Sequence, residues 1–130
     1  MPATPPQRIQ RKRITGWRMP DGAVYVGRGT KWGNPFRVYR CTCCPVRRWD
    51  VIDENLVTYA ADHSYRGHLS PEQLRREHAR CLLHATELFA EFVAPALDVS
   101  ELRGKHLACW CDLESPCHAD VLLSLANEGV

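Results

Sequence analysis

The chain has 130 residues, of which 45% are hydrophobic and 25% are charged, and its formal net charge is +2. These values are typical of one globular domain with its own core. No apolar run approaches the ~20 residues that a membrane helix needs, and no apolar segment follows the basic N-terminus as a signal peptide requires. Its seven cysteines include Cys-x-Cys and Cys-Cys spacings, which make a poor disulfide framework. We therefore expect a cytoplasmic protein, without a membrane partner, whose thiols are reduced, metal-bound or reactive.

The first half of the chain predicts short elements. Residues 1–10 are rich in proline and poor in core-forming side chains, which predicts a disordered lead-in before a single domain over 11–130. Strands are expected at 23–26 and 36–40, where β-branched and aromatic residues are frequent. A helix is expected over 53–61.

The second half predicts the longest element. Ser70, Pro71 and Gln73 form a strong helix start, and apolar residues recur at helical spacing until just before Pro95. A short helical turn at 98–103, a strand at 106–110 and a helix at 116–126 are expected to follow. The mixture predicts an α/β or α+β fold, a single compact domain with a small sheet flanked by helices.

The most informative segment joins the last strand to the last helix. Alternation places Cys109 and Cys111 on one side of the strand. The helix is expected to begin with Ser115 as its N-cap and Pro116 at its first position. The first turn then carries three chemically active side chains, those of Cys117, His118 and Asp120.

Three interpretations of this cluster remain open. In the first, Cys117 is a thiolate nucleophile favoured by the helix dipole, His118 is a base or acid, and Asp120 orients it or acts as an acid. In the second, the cysteines and His118 bind zinc, although adjacent side chains on a helix point about 100° apart. In the third, the cysteines are small buried residues, which suits Cys109 best.

A glycine-rich loop follows the strand at 23–26 and predicts an anion site. Backbone N–H groups of its glycines and the charges of Arg28 and Lys31 would hold a phosphate. A dinucleotide fingerprint is excluded because Asn34-Pro35 prevents a helix from starting there. If the loop binds a ligand, Trp32 or Trp110 would stack on it. The alternative is a tight structural turn in which Trp32 fills the core. The predicted ligand-binding residues are Gly27, Arg28, Gly29, Lys31, Trp32, Asn34 and Cys111.

The middle cysteines predict a structural zinc site. Cys41 and Cys44 have the spacing of a zinc knuckle, with Cys43 as a possible substitute, and His78 and Cys81 lie three residues apart on one helix face. Together these four residues supply a tetrahedral ligand set. The alternative is that His78 and Cys81 belong to the apolar stripe of the helix.

Two motifs resemble a known family. Gly27-Arg28-Gly29-Thr30-Lys31-Trp32-Gly33-Asn34-Pro35-Phe36, with Cys109-Trp110-Cys111 and Cys117-His118-Ala119-Asp120, resembles the small bacterial and phage proteins of domain-of-unknown-function family 4326. Ala119 stands where that family usually has glycine. The resemblance implies that both motifs contribute to a site and that residues 41–69 are an insertion.

The motifs together favour a protein that binds or processes a nucleotide, nucleoside or modified nucleobase. The alternative is a non-catalytic, zinc-stabilised module that binds nucleic acid, through the basic segment from Arg8 to Arg18, or a protein. The two hypotheses differ in one structural expectation. A ligand-binding protein should bring Arg28 and Cys117 to one pocket.

Overall fold

The computed structural model describes residues 5–43, 45–59 and 61–128. Strands β1, β5 and β2 form a parallel sheet in that order, and β3 and β4 form an antiparallel hairpin. The strands are β1 (Arg8–Gln10), β2 (Val24–Tyr25), β3 (Arg37–Arg40), β4 (Trp49–Ile52) and β5 (Leu107–Cys109). The helices are α1 (Pro71–Phe92) and α2 (His118–Asn127), with 3₁₀ turns at Ala94–Ala96 and Ser100–Leu102. This is the small mixed α/β fold that the sequence predicts.

The central strand β5 is buried along its whole length. It pairs in parallel with β1 on one edge and with β2 on the other, so the carboxyl ends of all three strands lie at one edge of the sheet. Parallel sheets commonly bind ligands beyond that edge. The glycine-rich loop and the Cys109-Trp110-Cys111 motif both begin there.

Strand β1 corrects the predicted lead-in. Arg8–Gln10 belong to the central sheet, where Leu107 donates a backbone hydrogen bond to the carbonyl of Gln7 and Arg11 donates one to Cys109. Local composition predicts disorder because it cannot show a pairing with a strand so distant in sequence. The buried strand β5 supplies the partner that satisfies these backbone groups.

Helix α1 has the predicted capping box and ends at Phe92, as expected. Its buried side, which includes Cys81, Leu88 and Phe89, packs on the hairpin and on the main core. No helix of the described ranges is long and apolar enough to span a membrane.

The predicted helix at 53–61 is wrong. The Asp53 carboxylate accepts hydrogen bonds from the backbone N–H groups of Asn55 and Val57, which stabilises a turn instead of a helix. The chain then returns along the hairpin, with a bridge between Ile52 and Thr58. Local side-chain hydrogen bonds thus outweigh a weak helical pattern.

Helix α2 begins later than the sequence indicates. Its N-cap is Cys117, in extended conformation with φ −147° and ψ 145°, and its first helical residue is His118. Ser115 lies in the preceding turn, where its carbonyl accepts a hydrogen bond from Arg8. Arg8 therefore hydrogen-bonds to a turn that precedes the helix.

Candidate functional site

A pocket of about 400 Å³ lies beyond the carboxyl ends of β2 and β5. The glycine-rich loop forms one wall, the connection from β5 to α2 forms another, and α1 closes the third side. Arg28 and Cys117 both line it, so two distant motifs converge as a ligand-binding protein requires. The other lining residues are Tyr25, Gly27, Asn34, Phe36, Val38, His78, Leu82, Ala85, Thr86, Cys109, Trp110, Cys111, Pro116 and His118.

A larger cavity of about 500 Å³ lies between the hairpin and α1. Its main charged groups are already paired, because the Arg48 guanidinium lies 2.7 Å from the Glu77 carboxylate, which also accepts the backbone N–H of Trp49. The pocket beside Arg28 and Cys117 is therefore the better candidate.

Three cysteines and a histidine form what we call the pocket cluster, made of Cys109, Cys111, Cys117 and His118. The sulfurs of Cys109 and Cys111 are 3.6 Å apart, and Sγ of Cys117 lies 3.6 Å from Nδ1 of His118. The ligand atoms of Cys109, Cys117 and His118 all lie within 4.8 Å of one another. These residues come from the end of β5 and the start of α2, as the sequence predicts.

The orientation of the His118 ring is fixed by the backbone. Its Nε2 lies 2.7 Å from the carbonyl oxygen of Val26, and a carbonyl can only accept, so Nε2 carries the proton. In the neutral ring, Nδ1 is then an unprotonated nitrogen that faces the sulfurs.

Hydrogen bonds within the pocket cluster shift the pKa values of two of its thiols in opposite directions. The pKa of Cys117 is lowered, chiefly because the thiols of Cys109 and Cys111 donate to its sulfur, with smaller contributions from the Ala119 backbone N–H and from Arg8. The pKa of Cys111 is raised because of its hydrogen bonds with Cys109 and Cys117. Cys117 is thus the most acidic thiol of the group.

Arg8 lies beside the site, but the sequence analysis did not identify it, because it assigned Arg8 to an unstructured basic arm. Its side chain is only 8% exposed, and its Nε lies 3.3 Å from the carboxylate of Asp120. Its Nη2 donates to the carbonyls of Leu113 and Ser115 at 2.6 and 2.8 Å. Its Nη1 is buried and has no hydrogen-bond partner among the described residues.

The predicted triad of Cys117, His118 and Asp120 is not brought together. Asp120 pairs with Arg8, is half exposed and does not line the pocket. It is not the group that orients His118, because the Val26 carbonyl already accepts the Nε2 proton.

The predicted anion-binding residues separate into two groups. Gly27, Arg28, Asn34 and Cys111 line the pocket. The pKa of Arg28 is lowered, first by burial and then by Arg37, whereas Cys111 and Cys109 act in the opposite direction. Asn34 is held by hydrogen bonds, because its amide donates to the Ala85 carbonyl and its oxygen accepts from the Phe36 N–H.

The other three residues of that set lie outside the pocket. Lys31 is exposed and pairs with Glu101 at 2.8 Å. Trp32 is buried in the main core and is no stacking wall for a ligand. Gly29, with φ +91°, lines a neighbouring cavity that shares Arg28 and Asn34 with the pocket.

The basic N-terminal segment packs against aromatic rings. Arg11 and Arg13 lie 4.8 and 4.7 Å from the ring centre of Trp110, and Arg11 also lies 4.7 Å from that of Tyr25. Such contacts are typical of cation–π interactions. The segment therefore packs on Tyr25 and Trp110, which line the pocket, but it does not line the pocket itself.

A second Cys/His group, which we call the hairpin cluster, consists of Cys41, Cys43 and His63. Their ligand atoms lie within 4.8 Å of one another, and Sγ of Cys43 is 3.2 Å from Nδ1 of His63. Nε2 of His63 is 2.5 Å from the buried carboxylate of Asp50. The backbone N–H of Arg48 donates to the sulfur of Cys41 at 3.1 Å.

The hairpin cluster corrects the predicted zinc ligands. Cys41 belongs to it, but His78 and Cys81 do not; His78 stacks on Trp49 with ring centres 4.1 Å apart. Cys81 is buried among the side chains between α1 and the hairpin, and burial raises its pKa to about 11. Cys44, the remaining predicted ligand, lies outside the described residues.

The sequence missed His63 because it has no regular spacing from the cysteines. It lies far along a segment without regular secondary structure, and only the return of the chain along the hairpin brings it to Cys41 and Cys43. The Cys-x-Cys-Cys spacing at 41–44 was the signal in the sequence that a further ligand comes from elsewhere in the chain.

Fold and site together define a small, cysteine-rich α/β domain with two Cys/His clusters that could hold a metal ion. The sequence profile of DUF4326, described as a domain of unknown function, matches residues 9–128. The chain belongs to this family. Neither the curated proteins nor the solved structures gave a match.

Proposed function

We propose that the protein binds a nucleotide-like small molecule in the pocket between the glycine-rich loop and the pocket cluster. The observation that carries this proposal is that Arg28 and Cys117, from two separate motifs, line the same pocket of about 400 Å³. That volume lies within the range of small-molecule sites.

The side chains around the pocket favour a ligand with an aromatic part and an anionic part. Tyr25 and Trp110 line the pocket with aromatic rings that Arg11 and Arg13 also contact, and Arg28 offers a guanidinium that can contact two oxygens of a phosphate. Arg28 also lines the neighbouring cavity beside Arg37. A nucleotide could place its base against the aromatic rings of the pocket and its phosphate near Arg28 and Arg37.

The pocket cluster forms the wall opposite the glycine-rich loop. Of the predicted catalytic residues, Cys117 and His118 line the pocket, whereas Asp120 pairs with Arg8 outside it. Binding is the part of the proposal that the pocket supports directly.

Calorimetric titration tests the proposal with nucleoside monophosphates and the matching nucleosides. The monophosphate should bind more tightly than its nucleoside, and Arg28→Ala should remove most of that difference. A charge-assisted hydrogen bond contributes about 1.5–3 kcal/mol, which is roughly a 10- to 150-fold change in Kd. Lys31→Ala is the matched control, because Lys31 lies in the same loop but pairs with Glu101 outside the pocket. No binding of any monophosphate or nucleoside would overturn the proposal.

A second function, that of a zinc-stabilised module, has its own support at the hairpin cluster. A histidine that ligates zinc commonly donates its other N–H to a carboxylate, and His63 faces Asp50 in this way. We propose that Cys41, Cys43 and His63 hold a structural zinc ion, for which the sequence offers Cys44 as a fourth ligand.

The nucleic-acid part of that second function can be tested separately. Arg8, Arg11 and Arg13 already contact other side chains, so the exposed charges left for a phosphate backbone are Lys12 and Arg18. If the module binds nucleic acid, the double variant Lys12→Ala, Arg18→Ala should weaken salt-dependent binding to mixed DNA and RNA oligonucleotides. Unchanged binding would contradict this role for the segment.

A further inference from the structure

We propose that Cys109, Cys111, Cys117 and His118 hold a second zinc ion in the wall of the pocket. This inference goes beyond the proposed ligand binding and does not depend on it. It concerns a metal site separate from that of the hairpin cluster.

The ligand atoms of Cys109, Cys117 and His118 lie within 4.8 Å of one another, and Sγ of Cys111 adjoins that of Cys109, so two of the distances match those of tetrahedral zinc. With Zn–S near 2.3 Å and Zn–N near 2.1 Å, neighbouring ligand atoms of a tetrahedron lie about 3.6–3.8 Å apart. The Cys109–Cys111 sulfur distance and the Cys117–His118 sulfur–nitrogen distance are both 3.6 Å. A zinc ion at the centre would replace the S–H hydrogen bonds of the thiols with bonds to the metal.

The tautomer of the neutral His118 ring also suits zinc binding. Its Nε2 proton is donated to the Val26 carbonyl, which leaves the Nδ1 lone pair towards the sulfurs. Metal-bound histidines are usually oriented by such a contact to a carbonyl or carboxylate. The hairpin cluster repeats this arrangement with His63 and Asp50.

The backbone at Cys117 removes the main sequence-based objection to zinc. Two adjacent residues in a helix point in different directions, but Cys117 is the N-cap and has extended φ and ψ. Its side chain therefore leaves the backbone at an angle that a helical residue does not have. As a result, its sulfur and Nδ1 of His118 come together.

The charges around the cluster indicate that it is anionic. Three thiolates and one zinc ion carry a net negative charge. The Arg8 side chain is only 8% exposed, and its buried Nη1 has no hydrogen-bond partner among the described residues, so a neighbouring anion would offset a cost that neutral thiols leave in place. Arg28 lines the pocket with Cys109 and Cys111 and contributes a second positive charge there.

The alternative of a cysteine nucleophile fits less well. Cys117 is only 2% exposed, and the carboxylate that would complete a triad pairs with Arg8 instead. Four protein ligands fill a tetrahedral site, so zinc here is expected to fix the pocket wall rather than to activate a water molecule.

The test is the zinc content of the full chain by elemental mass spectrometry after gel filtration. We expect two zinc ions per chain in the wild type. One should be lost in His118→Ala and the other in His63→Ala, while Cys81→Ser, a buried cysteine outside both clusters, should keep both. His118→Cys should restore the site because a fourth thiolate can replace the imidazole. A wild type whose zinc is lost entirely in His63→Ala would overturn the inference.

A second measurement avoids variants that fail to fold. The native wild type is alkylated with and without a zinc chelator, and the modified cysteines are identified by peptide mapping. Cys109, Cys111 and Cys117 should be protected until the chelator is added, because metal-bound thiolates react slowly. Equal labelling of these three residues with and without the chelator would refute the proposed site.

Discussion

The hairpin cluster and the pocket cluster present their histidines in the same way but lie in different surroundings. In both, Nδ1 faces sulfur and Nε2 faces an oxygen, which is a carboxylate of Asp50 for His63 and the backbone carbonyl of Val26 for His118. The hairpin cluster includes the exposed Cys43 and joins a hairpin to a loop. The pocket cluster joins the central strand to α2 and lies mostly in the core.

This difference indicates separate roles for similar chemistry. A metal at the hairpin cluster would hold a peripheral segment, so its loss should have local consequences. A metal at the pocket cluster would connect the parts of the fold that form the ligand pocket, so its loss should affect both the core and ligand binding. Variants that affect one cluster at a time can test this distinction.

The largest expected effect is that of removing His118. His118→Ala should lose one zinc ion, the hydrogen bond to Val26 and the edge contact with Phe89, whose ring centre lies 5.2 Å away. Binding of a structural zinc supplies much of the folding free energy of small domains. We expect a loss of at least about 3 kcal/mol, or roughly 10 °C in Tm. His63→Ala should lower Tm by less in the same thermal-unfolding experiment; an equal or larger loss would contradict the assigned roles.

The second-largest effect is expected when the buried charge of Arg8, beside the pocket cluster, is removed. Arg8→Met keeps much of the side-chain volume but removes the guanidinium, leaving the carbonyls of Leu113 and Ser115 and the carboxylate of Asp120 without their partner. Removing one partner of a buried ionic group costs about 3–5 kcal/mol. Urea unfolding should show a loss near the lower end, because Asp120 is half exposed.

Arg13→Met is the matched control for that measurement. Arg13 is an exposed arginine of the same segment, and its loss removes only a surface contact with Trp110. A change below about 0.5 kcal/mol is expected. Equal losses for the two variants would show that Arg8 has no special relation to the pocket cluster.

Local sequence signals predicted the elements whose causes are local. The capping box at Ser70 and the apolar spacing of α1 depend on neighbouring residues, and both are found in the structure. The strand that contains Cys109 was also predicted, because it is a short apolar run. That Arg28 and Cys117 line one pocket was the expectation of the ligand-binding hypothesis, because both motifs follow the ends of predicted strands.

Features that depend on distant pairing could not be predicted in this way. Arg8 appears as one of several charges near the terminus until β1 pairs with β5 and buries its side chain. His63 becomes a neighbour of Cys41 only because Asp53 starts a turn where a helix was expected. Cys117 faces His118 because α2 begins after Cys117, whose backbone is extended, whereas the sequence placed the helix start at Ser115 and Pro116.

A smaller effect is expected at the carboxylate of the hairpin cluster. Asp50→Asn keeps the shape of the side chain but weakens its hydrogen bond to His63. Replacing such a partner typically lowers metal affinity 10- to 100-fold. Chelator competition should show this change for one of the two zinc ions. Asp53→Asn, whose Oδ1 still accepts the backbone N–H groups of Asn55 and Val57 that form the turn, should leave both affinities unchanged.

The smallest effect is expected at Cys81, which lies between the two clusters in sequence and belongs to neither. Burial, reinforced by the negative charges of Asp50 and Glu77, raises the pKa of its thiol to about 11, so the thiol stays protonated below that pH. It should therefore resist alkylation at pH 8 even after zinc is removed from the folded chain, and Cys81→Ala should retain both metals. The alanine variant should cost only about 1 kcal/mol, since it removes one sulfur from a packed interior. Loss of zinc in Cys81→Ala would place α1 in the hairpin cluster, and that cluster would then be joined to the core like the pocket cluster.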